Sequence, residues 1–317
     1  MESCTLIDEF SLISKYFRPL AESNPAALGL MDDAAILVPS SGKQTVITCD
    51  ALVGGVHFLN ESPPRDVAAR ALRTNLSDLA AMGAAPVAYM LALIVPTGTD
   101  GRWFENFAAQ LYEDQKKYRI FLIGGDTVVT PGPLSVSITA FGEVPVNSAL
   151  TRSGARVGDS IFVTGSIGDA YLGLRALKGE LEEDSAVDVG AFVDKFCRPE
   201  PRLALASALL GIATAAVDVS DGLLADIGQL CRASDVGAVV QEMAVPLSAG
   251  AEFLAGKNPG LRSKLLDSGD DYELVLVVPG ANRGDFSKIT KKYSVPVTEI
   301  GLITGTNEVA LIDGNGT

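Results

Sequence analysis

Aspartates recur where apolar runs of this chain give way to small, turn-forming residues. They are Asp32 and Asp33 in GLMDDAAI, Asp50 in VITCD, Asp78 in NLSDLAAMGA, Asp126 in LIGGDT, Asp218 and Asp221 in VDVSDG, and Asp270 and Asp271 in GDDYEL. Carboxylates are hard oxygen ligands, so such a set suits Mg²⁺ carrying a phosphate. No G-x-x-x-x-G-K-[ST] loop is present, and no G-x-G-x-x-G opens a helix after a strand. The single histidine, His57, excludes multi-histidine metal sites. A phosphate nucleophile needs no histidine base, because its second pKa is about 6 and it is largely ionised at neutral pH. It needs two anions brought together and the transition-state charge neutralised. A chain poor in histidine, without a P-loop lysine and rich in turn aspartates fits that chemistry.

Each candidate also has a plain structural reading. On a helix, Asp78 shares a stripe with Val67, Ala71 and Met82, where an acid is costly unless paired or metal-bound. Arg70, Arg73 or backbone donors are its alternatives to a metal. Asp126 follows two glycines that would let backbone approach a phosphate, or that form only a tight turn. Asp218, Ser220 and Asp221 stand where a strand enters a helix. Ser220 or Asp221 is the N-cap there, or the helix start binds an anion beside two carboxylates. TGSIGDA (164–170) is a second, looser anion nest. Asp32 and Asp33 are turn residues on the plain reading, and Asp50 a strand-end cap. Arg152 in LTRSG is either a solvated cation or a phosphate clamp.

The elements that must carry these residues follow from periodicity. Helices are expected over 6–18, 64–84, 101–118, after Pro199–Arg202 and over 221–234, with a further helix in YLGLRALKG. Strands are expected over 43–50, 87–95, 119–126, 134–144, 160–165, 215–220 and 272–278, and a helix–strand tail closes the chain. The polar stretch 147–159 marks a boundary, giving domains 1–148 and 149–317. Both mix strands and helices, which suggests two α+β domains more than one doubly wound sheet.

The 317 residues carry 25 Lys+Arg and 39 Asp+Glu, a formal charge of −14. That excess of acid argues against a nucleic-acid partner and an anionic membrane face. Part of it is solvated surface, such as the Glu180–Asp184 stretch. Four scattered cysteines without a C-x-x-C, and an acidic start unlike a signal peptide, point to the cytoplasm. The longest apolar stretches, around 84–96 and 203–217, fall short of a membrane span.

In this order, the segments EFSLI, GLMDDAA, TCD with GGVHF, NLSDLAAMGA, LIGGDT, ALTRSGARVGD, VTGSIGDA, VDVSDGL and GDDYEL resemble the thiamine-monophosphate kinases. These are members of the PurM-like superfamily that includes aminoimidazole ribonucleotide synthetase. The resemblance runs from residue 9 to 274. It implies ATP-dependent phosphorylation of thiamine monophosphate to thiamine diphosphate by direct transfer with several Mg²⁺ ions. It implies metal positions at Asp33, Thr48, Cys49, Asp50, Asp78, Asp126, Asp218 and Asp221. Nucleotide positions fall at Gly125, Asp126, Arg152 and Ser220, and substrate positions at His57 and Asp270. The implied fold is an N-terminal α/β domain that forms a homodimer by pairing its sheets, with a C-terminal α+β domain. This chain departs from the family pattern at Met31, at Cys49 in place of a hydroxyl residue, and at Asp270 in place of glutamate. It also ends at Asp313-Gly-Asn-Gly-Thr317 without a glycine-aromatic tail.

Overall fold

The structure, a computed structural model, describes residues 9–181 and 187–313. Cys4, the first residues of the 6–18 helix, most of the 180–184 acidic stretch and the final Gly-Asn-Gly-Thr lie outside the described residues. The chain divides into two compact units. One comprises the chain up to Leu79 together with Ala85–Val146, and the other Ala80–Ala84 with the chain from Asn147 onward.

The first unit opens with α1 (Glu9–Leu12), a π-helical turn Ile13–Phe17 and α2 (Arg18–Ala21). It continues with β1 (Lys43–Val53), α3 (Pro64–Ala81), β2 (Ala85–Pro96), α4 (Gly101–Tyr118), β3 (Phe121–Thr130) and β4 (Ser135–Pro145). The sheet order is β1-β4-β2-β3, with β2 and β3 parallel and the other pairs antiparallel. α4 makes the crossover that a parallel pair requires. It begins where Asp100 caps it, accepting from Trp103 N–H at 2.9 Å, and ends at left-handed Arg119. Its buried face is Phe104, Phe107, Ala108 and Leu111. α3 is buried almost throughout, including Arg70, Arg73, Thr74, Asn75 and Ser77. Arg73 meets the buried Asp114 of α4 at 2.7 and 3.1 Å, and Gln110 also donates to that carboxylate. The pair is thus hydrogen-bonded, as burial of charge requires.

Strand alternation sorts the β1 candidates onto two faces. Leu52, with Val136, Ile138 and Ala140 of β4 and Leu91, Leu93 and Val95 of β2, is buried on one face. Thr48 and Asp50 share that side. Ile47, Cys49 and Ala51 face the other, more open side, beside Thr139 and Ser137 of β4 and Met90 of β2.

The second unit contains β5 (Ser160–Thr164), α5 (Asp169–Leu177), α6 (Val189–Cys197), α7 (Leu203–Ala208), β6 (Ala215–Asp218) and α8 (Leu223–Ser234). Then come β7 (Gly237–Gln241), α9 (Ala249–Lys257), α10 (Pro259–Asp267), β8 (Leu274–Val278), α11 (Arg283–Tyr293), β9 (Val297–Thr304) and β10 (Val309–Ile312). Its sheet order is β10-β7-β9-β5-β8-β6, antiparallel except for β10 with β7. Every residue of β5 and β8 is buried, as the interior of a covered sheet demands. The protein is therefore a mixed α/β fold of two units, one built on four strands and the other on six.

Three expected boundaries move for physical reasons. The strand over 119–126 does not stop at its glycines; β3 runs on to Thr130, so Asp126 sits within a strand. The strand over 215–220 ends at Asp218, and α8 starts at Leu223. The strand over 272–278 starts only at Leu274, because Asp270 (φ +72°) and Tyr272 (φ +52°) adopt left-handed backbone.

Candidate functional site

In the first unit, β1, α3 and the loop after β1 gather Thr48, Asp50, His57 and Asp78. Thr48 Oγ1 donates to Asp78 Oδ2 at 2.5 Å. Asp78 is partly exposed, whereas its neighbours Ser77 and Leu79 are buried. Asp50 N–H donates to Asn75 Oδ1 at 3.2 Å, and Asn75 Nδ2 is anchored on the Ala71 carbonyl at 3.0 Å. Burial holds the Asp50 carboxyl above its usual range, against the Thr74 hydroxyl and nearby His57. A bound cation there would offset that burial. His57 is exposed, and its Nδ1 accepts from Val53 N–H at 3.0 Å. That bond leaves any ring proton on Nε2, which becomes the donor toward solvent or ligand. Buried Arg70 fixes the same loop from behind, its Nε donating to the His57 carbonyl at 3.0 Å.

Asp33, Gly125 and Asp126 belong to a second group. They line a cavity of ≈ 220 Å³ whose apolar walls include Phe17, Leu30 and Leu122. Asp33 and Asp126 are both exposed at its edge. Because β1 and β3 are opposite edges of the sheet, three strand spacings, about 14 Å, separate the two groups within the unit. Gly125 has a structural reason of its own. At φ +155°, a Cβ there would lie 1.9 Å from the Leu91 carbonyl oxygen, so the missing side chain lets β3 approach β2. At Gly124 a Cβ would meet only the Met90 methyl, at 3.4 Å.

Cys49 does not join Thr48 and Asp50. Its thiol lies across β1, accepting from Thr139 Oγ1 at 3.4 Å, with Ser137 Oγ at 3.7 Å. A thiol on the face opposite Thr48 and Asp50 is no partner for them on one Mg²⁺ ion.

In the second unit Asp218 ends β6, buried, while Asp221 is exposed on the following loop. Neither Ser220 nor Asp221 caps α8: the N-cap is Gly222, at φ +135°. Instead Asp226, from the first turn of α8, reaches back. Its Oδ2 accepts from the N–H groups of Ser220, Asp221 and Gly222 at 3.0, 3.0 and 3.2 Å. The TGSIGDA nest has the same fate. Asp271 accepts there from Gly168 N–H at 2.8 Å and Ala170 N–H at 3.4 Å. Burial pushes Asp226 up, and Asp271 well up, from the carboxylate range, with the backbone donors opposing it. Both expected anion nests are therefore filled by the protein's own carboxylates.

Asp270 projects from the GDDYEL loop, where the Tyr272 hydroxyl meets its Oδ1 at 3.2 Å. Glu273 of the same loop is buried and structural. It accepts from Arg202 at 2.5 and 2.7 Å and from Thr164 Oγ1 at 2.6 Å. Arg152 is exposed on a loop whose carbonyl at Arg152 and N–H groups at Gly154 and Ala155 are held by Ser234 Oγ. Among the described residues, no three His, Cys, Asp or Glu side chains converge on one point. The oxygen donors are arranged in ones and twos, which suits Mg²⁺ when phosphate oxygens and water complete its shell.

The roles of Asn75, Asp226 and Ser234 are not apparent from motif reading. The signal for Asp226 is a carboxylate in the first turn of α8, one position beyond the three-residue spacing at which a capping-box acid reaches back to a helix start.

Comparison with known proteins assigns the lineage. The N-terminal domain of AIR synthase related protein matches residues 31–144, and its C-terminal domain matches 156–314. Thiamine-monophosphate kinase of Caulobacter vibrioides is 44% identical over 296 residues, covering 92% of this chain and 83% of that protein. The structure of thiamine-monophosphate kinase from Stenotrophomonas maltophilia is 39% identical with a TM-score of 0.86, covering 96% of each chain. A structure of AaThiL complexed with AMPPCP and TMP is 29% identical with a TM-score of 0.78, covering 98% of this chain and 94% of that one. With both family domains in order and such identity over nearly its full length, the chain belongs to the thiamine-monophosphate kinases of the AIR synthase-related family.

Proposed function

We propose that this chain transfers the γ-phosphoryl group of ATP to thiamine monophosphate, giving thiamine diphosphate and ADP. The observation that carries this reading is its likeness, over 98% of its length, to a structure complexed with AMPPCP and TMP. The cavity beside Gly125 and Asp126, apolar inside and acidic at its edge, suits a nucleobase with phosphates leading outward. Arg152, exposed on its Ser234-held loop, supplies a cation for the nucleotide. His57, with Nε2 left to donate, and Asp270 are each positions at which the family resemblance implies contact with thiamine phosphate.

Mg²⁺ fits the donors Asp33, Thr48, Asp50, Asp78, Asp126, Asp218 and Asp221, all of them hard oxygens. When bound, it neutralises charge on the transferring phosphoryl group. The residues themselves set where that charge is met. Thr48 orients Asp78 through its hydroxyl, and Asn75 fixes the backbone at Asp50. With both backbone nests of the second unit filled, phosphate there is met by side-chain oxygens and so needs a cation between.

The open face of the first sheet carries exposed Ile47, Met90 and Val128. A second copy of the chain pairing that face would form the homodimer and cover them. No helix among the described residues is long and apolar enough to cross a membrane. The free thiol of Cys49 agrees with a cytoplasmic setting.

The test is purified protein with ATP, Mg²⁺ and thiamine monophosphate, beside Asp78→Asn and Asp126→Asn. Wild type should form thiamine diphosphate, and both variants should lose turnover while keeping the fold. Near-normal rates in both variants would remove the metal-assisted reading.

A further inference from the structure

Two neighbouring segments of the second unit carry four of the side chains implied to meet ligand: Asp218 at the end of β6 with Ser220 and Asp221 on the loop after it, and Asp270 on a second loop. Their backbones are joined. Asp270 N–H donates to the Ser220 carbonyl at 2.9 Å, Tyr272 N–H to the Val219 carbonyl at 2.8 Å, and Val219 N–H to the Glu273 carbonyl at 2.8 Å. The approach is close enough that a Cβ on Gly269 would sit 2.0 Å from the Ser220 carbonyl oxygen. Behind the first loop stands Asp226, 1% exposed, with one oxygen taking three consecutive N–H groups. No other residue makes a comparable set of bonds to that loop among the hydrogen bonds described. Asp226 is also too deep to meet a ligand itself.

We propose that Asp226 is a positioning residue: a built-in anion that fills the Ser220–Gly222 cradle and thereby fixes the directions in which Asp218, Ser220 and Asp221 present their oxygens. The inference rests on the kinase reading of these loops. Its physical content is a choice between two ways of holding a phosphate. An empty cradle of three N–H groups would bind phosphate oxygens directly. A cradle occupied by a carboxylate turns those donors inward and leaves side-chain oxygens outward, so that only a phosphate carried by a cation is accepted. Charge matters, because three donors on one oxygen are best satisfied by an ionised acceptor. Length matters too, because the bonds at 3.0, 3.0 and 3.2 Å are set by an aspartate's reach from the first turn of α8, and a longer arm shifts the three donors. Through the Asp270–Ser220 bond the same carboxylate also steadies the substrate-facing loop.

The test uses the full chain with three substitutions: Asp226→Asn, Asp226→Ala and Asp226→Glu. Amide hydrogen exchange reads the cradle, and Mn²⁺ binding in the presence of ADP, followed by electron paramagnetic resonance, reads the oxygens it positions. Exchange of the 219–222 segment should quicken at least tenfold in Asp226→Asn and Asp226→Ala, with β5 and β8 protected as in wild type. Mn²⁺ should bind at least tenfold more weakly in all three. Asp226→Glu keeps the charge and should keep the melting temperature, so its loss of Mn²⁺ affinity would separate positioning from folding. Unchanged exchange in the segment, or faster exchange with wild-type Mn²⁺ affinity, would overturn the proposal. If wild type binds Mn²⁺ with ADP but makes no thiamine diphosphate, the substrate reading fails and the role of Asp226 is still decided by these two measurements.

Discussion

Gly125 and Gly124 are adjacent, yet alanine should have opposite consequences at the two positions. At Gly125 the added Cβ would lie 1.9 Å from Leu91 O, 2.7 Å from Leu91 C and 3.0 Å from Leu91 N. These are backbone atoms of the neighbouring strand and cannot rotate away. The position also has φ +155°, a conformation L-residues resist by roughly 1–2 kcal/mol. Relieving the overlap by shifting β3 adds about 1–3 kcal/mol. Gly125→Ala should therefore cost about 2–5 kcal/mol. At about 3 °C per kcal/mol for a domain of this size, its melting temperature should fall by roughly 6–15 °C. At Gly124 the Cβ would meet the flexible end of Met90 at 3.4 Å, so Gly124→Ala should be neutral or stabilising by about 0.5 kcal/mol. Thermal unfolding followed by circular dichroism, with and without Mg²⁺ and ADP, reads both variants. A Gly125→Ala protein melting within 2 °C of wild type, but weakened in nucleotide affinity, would refute the strand-approach reasoning and return this glycine to ligand contact alone.

Other expectations follow from single contacts. Thr48→Val removes the hydroxyl that orients Asp78, a bond to a charged group of about 1.5–3 kcal/mol, and should lower kcat/KM at least tenfold in steady-state assays. Asp271 is pushed well up by burial, so its folded pKa exceeds its unfolded value. Its contribution to stability is full below the ordinary carboxylate pKa and is lost as pH rises through the folded value. Melting temperature should thus fall more steeply with rising pH in wild type than in Asp271→Asn, and parallel slopes would count against this assignment. If the proposed homodimer pairs the open sheet face, Ile47→Asp places a charge there and should turn a wild-type dimer into a monomer by light scattering; a variant that stays dimeric would count against that face.

Local signals carried much of the architecture. α4 spans 101–118 as periodicity predicts, because Asp100 caps it, Phe104, Phe107 and Leu111 share one face, and Arg119 ends it. The end of β3 was hidden. Gly-Gly-Asp has turn composition, and only the register against β2 reveals that Gly125 serves the neighbouring strand. The nests were hidden for the same reason. Gly168 and the carboxylate of Asp271 that fills its nest are 103 residues apart, beyond any local pattern. Period-two alternation turns Cys49 away from Thr48 and Asp50, against the implied metal set that joined all three. The two separate groups of acids in the first unit follow from the strand order β1-β4-β2-β3, which a linear reading of the aspartates does not supply. The acid excess itself acquires a location, in oxygens proposed to hold Mg²⁺ and in buried carboxylates that close two cradles.

The most direct measurement is transfer itself, with wild-type protein, Mg²⁺, thiamine monophosphate and ATP radiolabelled in its γ-phosphoryl group. The label should move into thiamine diphosphate in step with ADP formation, should require Mg²⁺, and should never reside on the protein. Label released only as inorganic phosphate, or trapped on the chain, would contradict direct transfer between the two bound phosphates.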